Sequence, residues 1–200
     1  GVRGIRLSGD NHVVSMSVIR HFEATSEERQ AFLKMRRAVA GLEDSDDDEG
    51  EDAPNDTTIS QERYVEMSAA EDLILTLTEK GAGKLSSSHD YPVRGRGGQG
   101  VTAMDKAMRG GQLVASFPVS IDDQIMLVTD QAKLIRMKVA DMRVIGRNSA
   151  GVKLFDVAKG ETVVGAARID EGEDSGEDEA EGEEGASTEP AAEAPEPSGD

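Results

Sequence analysis

Sliding the chain against itself by 51 residues lays residues 74–101 over 125–152 without a gap. A chain with an internal period of that length builds its core by stacking like units, not around a single centre. The coincidences are informative ones: Thr78 meets Thr129, Glu79 meets Asp130, Asp90 meets Asp141, Val93 meets Val144, Gly95 meets Gly146, Arg96 meets Arg147, Gly100 meets Gly151 and Val101 meets Val152. Asp105 and Asp156 continue the register, and after a one-residue gap Leu113–Val119 lies over Val163–Ile169. An earlier copy shows in part, because Gly4-Ile5-Arg6-Leu7 resembles Gly100-Val101 and Gly151-Val152-Lys153-Leu154, with residues 13–18 as its closing apolar stretch. From Gly4 to Gly100 is 96 residues, one period plus about 45, so the excess is read as an insertion at 21–61.

Each unit carries four short strand signals, in one copy Leu73–Thr78, 84–90, 101–104 and Leu113–Val119, divided by Gly-rich or acidic turns. Four-stranded units at about 50 residues have the spacing of propeller-like blades, none of which is stable alone. The predicted fold is therefore all-β, with the end of one blade at 1–20 and further blades at 62–120 and 121–169, about two and a half in all. Within the insertion, Thr25-Ser26-Glu27-Glu28 is a capping box, and Phe32, Met35, Val39 and Leu42 fall on one helical face. A second short helix is expected at 60–67, and the whole insertion reads as a solvated surface excursion.

Charge is segregated along the chain. Residues 170–200 hold fourteen acids and no base, and residues 43–56 hold nine acids and no base; both read as too acidic to fold, the first as a disordered tail. Elsewhere 22 basic side chains face 17 acidic ones, so the formal net charge of −18 describes the appendages. There is no cysteine, which excludes disulfides and thiolate metal sites and fits a reducing, cytoplasmic compartment. No apolar run approaches the roughly 18 residues a membrane span needs, and the opening Gly-Val-Arg-Gly reads as a cut inside a longer protein.

Residues 94–100 contain GxGxxG, but a dinucleotide loop opens a helix after a strand, whereas residues 101–104 read as strand and the copy at 146–151 lacks the middle glycine. The glycines Gly95, Gly97, Gly98, Gly100, Gly146 and Gly151 are read instead as tight strand connections using positive φ. Arginines beside such turns put guanidinium forks and backbone N–H groups where phosphates approach closely. Basic residues recur through the repeats at Lys84, Arg94, Arg96, Arg109, Lys133, Arg136, Lys138, Arg143, Arg147 and Lys153. All but Lys133 are taken as DNA-binding candidates, because stacked blades would align repeat-equivalent cations into a curved track suited to duplex phosphates. Aromatics are only 3% of residues, which argues against stacking on single-stranded bases. Asp44-Ser45-Asp46-Asp47-Asp48 lacks the glycine of a Ca²⁺ loop and is read as linker. His12, His21 and His89 show no ligand spacing, no catalytic signature is found, and Tyr64 and Tyr91 are read as packing residues.

Where repeat, glycine turns and basic rim come together, the chain resembles the C-terminal domains of bacterial DNA gyrase A subunits. The residues that carry the likeness are 1–7, Glu66-Met67-Ser68 leading into 73–76, and 95–101; it covers 1–20 and 62–169 and leaves the insertion and tail outside. The resemblance implies a six-bladed β-pinwheel whose rim wraps duplex DNA, serving ATP-driven negative supercoiling. It also implies a B subunit that hydrolyses ATP in an A2B2 assembly, an A-subunit dimer, and a Mg²⁺-dependent cleavage core with its catalytic tyrosine outside this segment. No catalytic residue, metal or cofactor is expected within the chain itself. Of the family's wrapping motif Q-[RK]-R-G-G-[RK]-G, Arg96, Gly97, Gly98 and Gly100 match, while Arg94, Gly95 and Gln99 depart. Two alternatives stay open: the related topoisomerase IV A-subunit domain, and a propeller serving as a protein-interaction platform.

Overall fold

In a computed structural model the described residues are 1–41, 58–105 and 110–169. The acidic linker, Arg109 and the acidic tail singled out above lie outside them. The ordered elements are helices α1 (Ser26–Val39) and α2 (Gln61–Ala69) and strands β1 (Leu73–Thr78), β2 (Ala82–Ser87), β3 (Leu113–Val119), β4 (Gln124–Thr129), β5 (Leu134–Lys138), β6 (Val152–Lys153) and β7 (Val163–Ile169). They form two antiparallel sheets, one in the order β3-β1-β2-β6 and one in the order β5-β4-β7, and neither sheet closes on itself.

The sequence period is a structural period. β1 and β4 each pair with the following strand and with the last strand of their unit, and each ladder to that last strand is broken by a register shift at the same place, Leu77/Thr78 and Val128/Thr129. Short 3₁₀ turns at Ser88–Asp90 and Val139–Asp141 follow β2 and β5. Even the turn bonds repeat: Glu79 N–H donates to Gln112 O and Asp130 N–H to Thr162 O, both at 2.9 Å. Between the sheets lies one core of Leu75, Leu77, Leu85, Ala115, Val119, Ile125, Leu127, Val139, Met142 and Val163. Burying each large aliphatic side chain there is worth about 1.5–3 kcal/mol, which is why neither sheet is expected to hold without the other.

The expected strand at 101–104 is not one; its repeat equivalent β6 is, but β6 pairs with β2 of the preceding unit through Gly83↔Val152 and Ala82↔Lys153. The first blade is therefore completed by its successor. Residues 143–145 also run along β2, with Leu85 N–H donating to Arg143 O at 3.1 Å and Ile145 N–H to Leu85 O at 2.9 Å. Residues 101–104 have no preceding β2 equivalent within the described chain to join. Nor do residues 1–20 form a strand: they are exposed and tied down by a few bonds, including Arg6 N–H to Gly98 O and Gly97 N–H to Gly4 O, both 2.8 Å.

The insertion is docked, contrary to the surface-excursion reading. The capping box forms as expected, with Thr25 Oγ1 accepting from Glu28 N–H at 3.2 Å and Glu28 Oε2 from Thr25 N–H at 2.8 Å. Phe32 of α1 and Met67 of α2 are fully buried, and Phe32 packs on Tyr64 at 5.2 Å and edge-on to His89 at 4.8 Å. His89 Nε2 lies 2.9 Å from Met67 O, so Nε2 carries the proton and Nδ1 accepts from Arg29, 3.4 Å away. The expected apolar stripe does not extend along the helix, for Val39 is 70% exposed.

Candidate nucleic-acid interface

Residues 92–100 form an open turn, exposed almost throughout, in which Gly97 and Gly100 have φ of +77° and +79°. Gly151 repeats Gly100 at +85°, whereas Gly95, Gly98 and Gly146 do not use positive φ, so the glycine reading holds for three of six. A β-carbon on Gly151 would stand 3.1 Å from Gly83 O, which shows its second role: letting the exchanged strand come close. Through the two Gly4/Gly97 and Arg6/Gly98 backbone bonds, the first residues of the chain lie beside the same turn. Arg3, Arg6, Arg94 and Arg96 are thereby brought into one neighbourhood, all exposed, and none makes an ion pair with another described residue. Arg3 and Arg6 were absent from the sequence-based candidates. The signal for them was present, since Gly4–Leu7 aligns with the segment that follows each glycine turn.

The remaining candidates separate by environment. Lys138 and Arg143 are exposed; Arg136 is exposed and hydrogen-bonded through Nε to Gln124; Lys153 is exposed and paired with Asp156. Arg109 is outside the described residues. Lys133 is held by Glu161 at 2.6 Å, and that hydrogen bond, with a second from the Thr129 hydroxyl, keeps the Glu161 carboxyl below its ordinary pKa.

Two candidates are corrected. Lys84 is fully buried, and its ammonium donates to Gly146 O at 2.8 Å, Arg147 O at 2.5 Å and Ser149 O at 2.7 Å. A buried charge is tolerable only with such a set of partners, and Lys84 is the plug around which the exchanged loop folds, out of reach of a phosphate. Arg147 is 16% exposed and already engaged: its N–H donates to Asp90 Oδ2 at 2.6 Å, Nε donates to Asp90 O at 2.9 Å, and Nη1 bonds Thr102 O. The aligned pair Arg96 and Arg147 thus has one open member and one locked member.

A groove of about 830 Å³ separates the start of α1 from residues 90–94 and Arg147, lined by acidic and basic side chains in mixture. Among the described residues no cluster of three His, Asp or Glu side chains is arranged to hold a metal, and no helix is long and apolar enough to cross a membrane. Tyr91 bonds Ser86 through its hydroxyl at 3.0 Å and Tyr64 packs on Phe32, so both tyrosines are packing residues as read.

Two antiparallel sheets repeated in register, one completed by a strand from the next unit and fronted by a glycine turn rich in arginine, define a propeller-type repeat protein with a cationic edge. The family model described as DNA gyrase C-terminal domain, beta-propeller, matches residues 1–20, 72–120 and 123–170. The chain belongs to that family. It is 44% identical over 192 residues to the DNA gyrase A subunit of Granulibacter bethesdensis, covering 89% of this chain and 20% of that protein. To the DNA gyrase A subunit of Rickettsia bellii it is 41% identical over 189 residues, covering 92% and 20%. A solved structure described as DNA gyrase A C-terminal domain is similar at a TM-score of 0.47 and 24% identity, covering 50% of this chain and 34% of that one. The chain spans about a fifth of the length of the curated relatives it matches.

Proposed function

We propose that this chain is a non-catalytic part of a DNA gyrase A subunit, where it binds duplex DNA by its backbone and helps wrap it. The observation that carries the reading is the group Arg3, Arg6, Arg94 and Arg96, exposed around a glycine turn with no carboxylate neutralising them among the described residues. Guanidinium forks so placed bind phosphates without reading bases. Arg136, Lys138 and Arg143, exposed in the following unit, and Lys153, paired with Asp156, are the further candidates for backbone contact. In the complete complex this part would serve ATP-dependent negative supercoiling in the cytoplasm, with ATP hydrolysed by a B subunit in an A2B2 assembly and Mg²⁺ at the A-subunit cleavage core.

The test is duplex binding across a salt series with Arg3, Arg6, Arg94 and Arg96 each changed to Gln. Each phosphate that is no longer neutralised should flatten the log–log salt slope by about 0.9, equally for unrelated sequences. Sequence-selective loss would contradict backbone binding, and salt-insensitive wild-type binding would point to the interaction-platform reading.

A further inference from the structure

We propose that Asp90 and Arg147 are a clasp that fixes the rotation of one blade against the next, so that Arg147 positions the DNA path instead of contacting it. The inference rests on the wrapping function proposed above. Its starting point is that Arg147 spends its polar groups inside the protein. The main-chain N–H and Nε both reach Asp90, at 2.6 Å to the carboxylate and 2.9 Å to the carbonyl, while Nη1 reaches Thr102 O. Asp90 ends the 3₁₀ turn after β2 and Thr102 follows the glycine turn of the same unit, whereas Arg147 belongs to the unit after it. One planar guanidinium therefore joins two separate points of one blade to a single point of the next, and two such points oppose relative rotation where one would not.

The neighbouring bonds point the same way. Lys84 holds the carbonyls on either side of Arg147 from within the preceding blade, and Asp105 N–H donates to Ser149 O at 3.3 Å. The loop that carries Arg147 is thus gripped from beneath by Lys84 and from the side by Asp90, Thr102 and Asp105. A phosphate could recruit the guanidinium only by breaking its two bonds to the carbonyls of Asp90 and Thr102, beside an Asp90 carboxylate that the Arg147 main-chain N–H still holds. The exposed Arg143, four residues earlier in the same unit, has no ion pair among the described residues and provides the contrast.

The experiment uses the full-length A subunit with two readouts: duplex affinity across a salt series, and the linking-number shift per bound protein after ligation of nicked circles. For Arg147→Gln the shift should fall by about half or more while affinity stays within about twofold and the salt slope is unchanged. Arg147→Lys keeps the charge but loses the fork and should not restore the shift. Asp90→Ala, which removes the acceptor of the Arg147 main-chain N–H, should lose part of the shift as well, without tightening binding, and the double variant should be no worse than Arg147→Gln. Arg143→Gln should do the reverse, flattening the salt slope by about 0.9.

The clasp is overturned if Arg147→Gln behaves as Arg143→Gln does, if Arg147→Lys restores wild-type wrapping, or if Asp90→Ala tightens binding by freeing Arg147 for phosphate. Hydrogen exchange of β1 and β4 separates a lost clasp from a lost fold: both strands should stay protected in each variant, and unfolding of either would make Arg147 a fold-stability residue and sink the positioning role. A wild-type protein that gives no linking-number shift would sink the wrapping reading itself, whereas a wild-type shift that survives in all the variants would sink the clasp alone.

Discussion

Gly81 and Ala132 occupy the same turn of the two units. Their N–H groups donate to Thr78 O and Thr129 O at 3.1 and 3.0 Å, and both lie in the left-handed region, at φ +80° and +60°. The difference is what covers them. A β-carbon on Gly81 would stand 2.7 Å from Phe155 O, because the exchanged strand and the residues after it pass over this turn, with Leu154 N–H donating to Gly81 O at 2.9 Å. Ala132 is exposed. We predict that Gly81→Ala destabilises by more than the roughly 1–2 kcal/mol of left-handed strain alone, while Ala132→Gly is neutral to stabilising by up to about 1 kcal/mol. Urea midpoints check both, and equal effects at the two sites would refute the covering argument. Glu161 yields a prediction with a sign. Lys133 and then Thr129 hold its carboxyl below the ordinary value of 4.5, so the folded state binds that proton less readily than the unfolded chain. Its contribution is present in full above about pH 4.5 and is lost as acid protonates the carboxylate below it. Glu161→Gln should therefore lower stability at neutral pH and shrink the difference from wild type below about pH 4; a difference that is constant with pH would show that the ion pair contributes nothing.

At the scale of elements, the period in the sequence marked some strands closely, whereas the strand expected at 84–90 runs over Ala82–Ser87 and gives way to a 3₁₀ turn. β1, β3 and β7 have the bounds expected from it, because alternation and turn residues are local signals that survive in each copy. Which sheet a strand joins is not local, and so the exchange of β6 into the preceding blade was invisible to a reading unit by unit. The burial of Lys84 was legible but unread: it aligns at 51 residues with Ile135, an apolar residue in a strand, whereas its charge suggested surface. Arg147 was misjudged for a related reason, since Asp90 recurs as Asp141 just as Arg96 recurs as Arg147, and a recurring acid and base could have been read as a pair. The docking of the insertion was not legible, because it depends on His89, a residue with no recognisable motif around it. Lys84→Met tests the seam. It removes the ammonium from three carbonyls, but Gly146 O keeps the Ser149 N–H and hydroxyl and Ser149 O keeps the Asp105 N–H, so with Arg147 O left unsatisfied the predicted loss is about 1–3 kcal/mol. Hydrogen exchange should quicken first at Leu85 and Ile145, whose amides close the seam, before β4 is affected; simultaneous opening of all strands would argue that the seam is no weaker than the sheets.

Taken whole, the molecule keeps opposite charges in separate parts of its sequence. Outside the two acidic stretches the basic side chains outnumber the acidic ones, 22 to 17, and the four arginines around the glycine turn, without an ion pair among the described residues, belong to that portion. The last 31 residues carry fourteen acids and no base, so deleting residues 170–200 raises the formal net charge from −18 to −4. A polyanion joined covalently to a cationic surface acts at high effective concentration, and duplex DNA must compete with it. We therefore predict that the deletion tightens duplex binding about fivefold or more at low salt, with the gain fading as the Debye length shrinks toward about 3 Å near 1 M. Fluorescence anisotropy with a labelled duplex across a salt series gives the comparison. A replacement of the same length in Gly and Ser separates charge from bulk: if charge is the agent, the neutral tail matches the deletion, and if bulk is, it matches the native chain. Equal affinity of the native and shortened proteins at every salt concentration would leave the acidic segment without influence on the cationic surface.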